Sequence, residues 1–315
     1  MEQQIQDPGT QNISTFKVDN VLYIGGIILL LFVGLFTGLL GIWQYVVFGQ
    51  KTDWLLRVLH SHGAWIGVIV ILLASVKYIL GEARKKTYMI GLGLISAGIV
   101  MGFVLYSLYA TYAWDFIETS LVRIHTHLIF YGVFLLLSTA LLTIIKASER
   151  SMKAVAVLYG VALLGVTAGQ ALFVFKGISP MIAMAMESAV FIAHILVIYQ
   201  LIKFLKKKLS TEERVFGIFW TVSFCMMFAL TLVGVSMVVG QIIPTQYLSE
   251  HGLYWYKLNK AVEDMHLSPI SWYTSAVAMS FGIWALRTPI TFQVFTLTLL
   301  ALAPFLNLIG RTAKV

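Results

Sequence analysis

Charge is scarce in this chain: Asp, Glu, Lys and Arg make up 11% of its 315 residues. A soluble globular domain carries about a quarter. With so little polar surface the chain cannot dissolve around a core, so a soluble enzyme or binding module is excluded. Cysteine is nearly missing too. Cys225 stands alone within an apolar run, so no disulfide framework holds the fold. There is no CxxCH for covalent attachment of a c-type heme. A Gly-rich nucleotide loop, a nucleophile elbow and a zinc-hydrolase HExxH are all absent from the sequence, which removes those common routes to phosphate, acyl and hydrolytic chemistry.

What the chain has in plenty is apolar length: 59% of its residues are hydrophobic and its mean hydropathy is +0.87. The first 20 residues are polar and lack a basic region leading into a short apolar core. They are expected to be a cytoplasmic tail and not a cleaved signal, with 21–315 forming a single transmembrane domain. Stretches able to cross about 30 Å of hydrocarbon run over 21–45, 58–81, 87–111, 121–145, 154–175, 181–202, 215–243, 265–286 and 289–309. The expected fold is thus an all-α polytopic bundle of eight or nine helices. Arg287 and Thr288 alone separate the last two stretches, so the ninth either spans or lies along the interface.

The net charge of +8 sits largely in alternate loops and gives no reason to expect a nucleic-acid partner. One set holds Arg84, Lys85 and Lys86, then Lys146, Arg150 and Lys153, then Lys203, Lys206, Lys207, Lys208 and Arg214. The other set holds Lys51 and Arg57, then Arg123, then Lys176, then Lys257 and Lys260. The excess of cations predicts that the first set and the N-terminus are cytoplasmic, in a cell (inner or plasma) membrane. Trp54, Tyr109, Tyr112, Trp114, Tyr254, Trp255 and Tyr256 belong to the opposite side, as an interfacial aromatic belt there requires.

Pairing the spans reveals a repeat. The second opens LLRVLHSHGAWIG and the fourth LVRIHTHLIFYG, both containing HxHxxxxG behind an arginine. The sixth and eighth supply His194 and His266, and the odd spans carry Gln44, Gln170 and Gln241. The unit is a helical hairpin whose returning helix brings a histidine. Gene duplication and regular helix length both account for the spacing.

Six of the seven histidines fall on even spans. An imidazole in hydrocarbon is costly unless hydrogen-bonded or ligated, and axial heme ligation needs nitrogens projected between helices. His60, His125, His194 and His266 are the candidate ligands. A core hydrogen bond and a copper site are the other readings. The two histidines of an HxH lie about 200° apart around a helix, so one faces a given ring and the other a neighbouring helix. His62 and His127 are therefore expected to support or pack, and to join a metal only in a site using both members of a pair. Arg57 and Arg123 are placed to meet heme propionates or to snorkel to the interface. Glu187 is the one acid well inside a span. It is expected to act as a proton relay, to partner a histidine, or to bridge to another helix. Seven residues before His194, it should share that histidine's helical face. The glutamines are expected to bridge helices or to contact a quinone.

The stretch from Gly34 to Gly67, GLFTGLLGIWQYVVFGQKTDWLLRVLHSHGAWIG, resembles the first helical hairpin of the heme–copper oxidase and nitric oxide reductase catalytic subunits. That family joins a small-residue helix ending near a Gln to a helix opening with an LH motif, whose histidine ligates low-spin heme. By position the resemblance implies His60 as that ligand. RIHTHLIFYG at His125 repeats the pattern, and DMHLSPISW at His266 echoes it more loosely. The likeness covers about a third of the chain and implies heme binding. The paired histidines and the histidine–tyrosine motif of the family's copper site are not found in this sequence. Heme A synthase is similar in topology, with histidines on even helices of a duplicated bundle.

The expected function is that of a b-type heme protein, with one or two hemes near the outer face. It would work in electron transfer, fed by a quinol or by other respiratory subunits. Two alternatives stand beside it: a heme-dependent membrane enzyme acting on a small hydrophobic substrate (an isomerase or heme-modifying enzyme), and a non-redox metal or proton transporter or assembly factor.

Overall fold

A computed structural model describes residues 19–49, 54–111, 117–176, 185–211 and, with gaps, 213–228. All regular structure among them is helical. The chain is a multi-pass membrane protein: five of these helices are long and apolar enough to cross a bilayer. They are α1 (Asn20–Phe48), Glu82–Leu105, Ile124–Ile144, Glu149–Gly169 and Ala185–Leu205. The whole helices containing the middle three are α3 (Lys85–Thr111), α4 (Ile117–Ile144) and α5 (Glu149–Lys176), and the regular part of the last is α6 (Ala189–Leu205). Between α1 and α3 lies α2 (Trp54–Leu80), which contains the apolar run Ile69–Leu80. The first six expected spans thus coincide with helices. Most of the expected span over 215–243, and all of those over 265–286 and 289–309, lie outside the described residues.

Local chemistry sets the helix ends. The Asp19 carboxylate accepts from the backbone N–H of Val21 and Leu22, both at 3.2 Å, so α1 begins one residue earlier than the hydropathy alone implies. At the end of α2 the chain turns through Gly81 at φ +56°, a conformation that costs other residues a steric penalty. The Gly81 N–H still reaches the Lys77 carbonyl at 3.1 Å. After α6, Ser210 and Glu213 cap each other's backbone reciprocally at 3.2 and 2.9 Å, the capping-box arrangement that starts a new helix.

The helices run antiparallel in sequence order, as contacts at one end of the bundle show. The Asp19 N–H meets the Ala74 carbonyl at 2.9 Å, tying the start of α1 to the end of α2. Arg84 pairs with Glu149, joining the starts of α3 and α5. Gln200 donates to Ser151 at 3.1 Å, joining the end of α6 to the start of α5. The loops of the more basic set therefore gather at one end of the bundle.

Apolar side chains decide the layers. Of the apolar stretch in α4, 72% is buried, against 22% for α1 and for the stretch of α3. The fourth helix is the axis around which α2, α3, α5 and α6 pack. Ile24, Ile28, Phe32, Leu35, Phe36, Leu39 and Ile42 of α1 stay exposed. An apolar face of this extent is what lipid, not water, solvates.

Where helices pack tightly, glycine permits it. A Cβ on Gly67 would come within 2.8 Å of the Gly26 carbonyl, and one on Gly132 within 2.8 Å of the Gly91 carbonyl. Both are the closing glycines of the HxHxxxxG motifs. Beside the first contact, α1 widens into a π-helical stretch, Leu29–Leu35. There the Thr37 hydroxyl donates to the Val33 carbonyl. Insertions of this kind are common at functional sites.

Candidate functional site

The second HxH motif splits to two sides of α4, as a separation of about 200° demands. His125 turns toward α3 and α2. Its Nδ1 lies 2.6 Å from the Gly98 carbonyl oxygen. A carbonyl only accepts, so Nδ1 carries the proton and Nε2 keeps its lone pair. The ring lies across Gly102, where a Cβ would stand 2.6 Å from its Cε1. Gly98 and Gly102 are a GxxxG pair, the spacing that opens a groove on one helix face. Across from His125 stands His62 of α2, with ring centres 6.3 Å apart and planes within 18°. His125 is buried and His62 exposed, so the pair stands at the edge of the bundle.

His127 turns the other way, and its Nε2 meets Glu187 Oε1 at 3.1 Å. The two side chains are half-buried. Glu187 is thus the partner of a histidine, and it shares a face with His194 as expected: both meet the stripe of α4 that carries His127 and Phe134. A turn at Ser188 separates it from the regular helix that starts at Ala189. His194 lies further along that face, wholly buried against the rings of Phe134, Tyr159 and Phe224 at 5.3 to 5.9 Å. Among the described residues neither of its nitrogens has a hydrogen-bond partner. All three rings stand steeply to the imidazole, between 67° and 80°. That geometry allows weak N–H···π contacts but does not repay a full hydrogen bond.

The face of α4 below His127 carries Tyr131, Phe134 and Ser138. Tyr131 lies 6.0 Å from His127 and 6.3 Å from Tyr159, ring centre to ring centre. The Tyr159 hydroxyl shares a 2.9 Å hydrogen bond with Ser138. This is a polar contact inside a core of Leu136, Leu137 and Leu141. Ser138→Ala or Tyr159→Phe alone should cost about 1–3 kcal/mol, because the partner is left unpaired. The double variant should cost less than the sum. Thermal unfolding of the four proteins measures the difference, and strict additivity would show that the hydroxyls do not interact.

Among the remaining expected site residues, the side chains of Arg57, His60 and Arg123 lie outside the described residues, although all three are on helices. His266 and Gln241 lie outside them altogether, as does the Gln170 side chain. Gln44 helps line a cleft of about 460 Å³ with Leu40, Trp43, Phe48 and Leu56. It opens where α1 ends and α2 begins, at the end of the bundle that holds His62. Among the described residues no group of three His, Cys, Asp or Glu side chains is placed to hold a metal ion. Reading the sequence missed Tyr131, Tyr159 and Ser138. A four-residue step from His127 to Tyr131 and the GxxxG of 98–102 were the available signals. The chain matches no protein-family model, no curated protein and no solved structure.

Proposed function

We propose that this protein binds b-type heme and passes electrons within the membrane, and that His125 and His62 are the residues that would hold it. One observation carries the reading: the His125 imidazole, its Nδ1 proton held by Gly98, faces a second imidazole 6.3 Å away and 18° from parallel. Ligating histidines characteristically donate their other ring N–H to a carbonyl or carboxylate, which fixes tautomer and orientation. His60, the ligand that the resemblance implies, has its side chain outside the described residues. His125, with its Nδ1 proton on Gly98, would offer Nε2 to an iron, and His62 beside it would be the second donor. The residues therefore fit the group. Bound there, heme would supply a one-electron couple set by its axial ligands and by the dryness of its surroundings.

The protein's own part is to orient His125, to keep His127 turned away on Glu187, and to admit a reductant. The cleft beside Gln44, apolar with one amide, suits the head of a quinol. A partner subunit is the other donor. The full fold in this reading is the eight- or nine-helix bundle, with its N-terminus and basic loops cytoplasmic.

The test is a reduced-minus-oxidised absorption spectrum of the purified protein. Sharp α-bands are expected. A high-spin spectrum would favour heme chemistry on a small substrate, and the absence of heme would leave a transporter or assembly factor. The orientation has its own test. A cysteine introduced near Asp115 should react with an impermeant thiol reagent in intact cells, and one at Lys207 should not. The reverse pattern would place the histidines on the cytoplasmic side.

A further inference from the structure

The cations at the basic end of the bundle are neutralised unevenly. Between α2 and α3, Arg84 is held by Glu149 and Lys85 by Glu82 at 3.2 Å. Where α6 ends and α5 begins, the balance fails. Residues 203–214 hold Lys203, Lys206, Lys207, Lys208 and Arg214 against Glu212 and Glu213. The Glu213 carboxylate is already engaged, accepting from the Ser210 N–H at 2.9 Å. Arg150 and Lys153 add to the excess, because Gln200 donates to Ser151 at 3.1 Å and brings the two helix ends together. Arg150, Lys153, Lys203 and Lys206 are all exposed. Among the described residues none of the four is paired with a carboxylate.

Below these cations the surface turns apolar. On α5, Lys153 heads a stripe at helical spacing in which Val157 and Leu164 stay exposed. Gly160, on the same side, leaves open space, since a Cβ there would meet nothing within 4 Å. On α6, Tyr199 and Ile202 are exposed, and Lys206 follows one turn later. Each helix thus carries a stripe that faces hydrocarbon and ends in a cation. Like charges gathered at one place repel unless an anion lies among them. A phospholipid with a net negative headgroup meets both needs in one molecule. We propose that the end of α6 and the start of α5 form a binding site for an anionic phospholipid. Its phosphate lies among Arg150, Lys153, Lys203 and Lys206, and its acyl chains follow the two stripes. Basic pockets between helix ends recognise such headgroups. The site lies at the opposite end of the bundle from His62 and His125 and does not depend on heme.

Native mass spectrometry of the full chain in detergent, titrated with dioleoylphosphatidylglycerol or dioleoylphosphatidylcholine, counts the lipid retained. Phosphatidylglycerol should bind about tenfold more tightly, because choline cancels the phosphate charge that the cations meet. Each charge lost should weaken it about fivefold, the factor that ~1 kcal/mol gives. Lys153→Gln combined with Lys206→Gln should therefore weaken phosphatidylglycerol roughly 25-fold and leave phosphatidylcholine unchanged. Both side chains are exposed, so the fold does not rest on them. Lys176→Gln, at the far end of α5, should alter neither lipid. Equal affinity for the two lipids in the unmodified protein would overturn the proposal, and that comparison needs no variant. A loss from Lys176→Gln equal to that from Lys153→Gln would overturn it too, since net charge and not this site would then gather the lipid.

Discussion

His125→Ala is expected to lower heme content about tenfold or more, a loss of ~1.4 kcal/mol or greater in binding, while the protein stays folded. The substitution removes both the free Nε2 and the contact that anchors the ring to Gly98. It leaves the apolar packing of α4 around Leu136, Leu137 and Leu141 untouched. His62→Ala should act in the same direction. Because His62 is at the exposed edge, residual heme there should be high-spin, held by His125 alone. His60→Ala and His127→Ala should keep heme and its low-spin spectrum. His127→Ala carries a further cost, since Glu187 would lose its 3.1 Å partner in a half-buried place. Heme per protein by the pyridine hemochrome assay, beside the absorption spectrum, reads all four. Full occupancy and an unaltered spectrum in His125→Ala would end its role as a ligand. Equal losses from all four would point to a site using both members of each pair, as a copper centre does.

His194→Leu is expected to stabilise the protein. The imidazole is wholly buried with no partner for either nitrogen among the described residues. Its desolvation is therefore paid without return, a cost of about 1–3 kcal/mol. A leucine is close in volume and would meet Phe134, Tyr159 and Phe224 without a polar atom. Replacing a buried polar group with an apolar one of similar shape is neutral or favourable. Heme should be retained, because three rings within 5.9 Å leave a porphyrin no approach from those sides. The measurements are the midpoint of thermal unfolding in detergent and heme content. A lower midpoint together with lost heme would restore His194 as a ligand and place a second heme between α4, α5 and α6.

Membrane residence and the first six helices were legible in the residues alone. Hydrocarbon leaves a backbone no partner but itself, so apolar length is enough to specify helix, and the helix ends fell within a few residues of the hydropathy edges. The opposed faces of His125 and His127 followed from helical pitch. The HxHxxxxG repeat also pointed to a hairpin unit, and its closing glycines, Gly67 and Gly132, are where the hairpins pack most closely.

Partnership was decided only by tertiary structure. Nothing along the chain says that Glu187 meets His127, sixty residues away, or that His62 stands opposite His125. Nor does the sequence say that His194 sits in an aromatic box. These depend on how far each helix is rotated and slid against its neighbours, which is set by small residues at crossings such as Gly98 and Gly102. Periodicity determines what a helix can present; the packing between helices determines to whom.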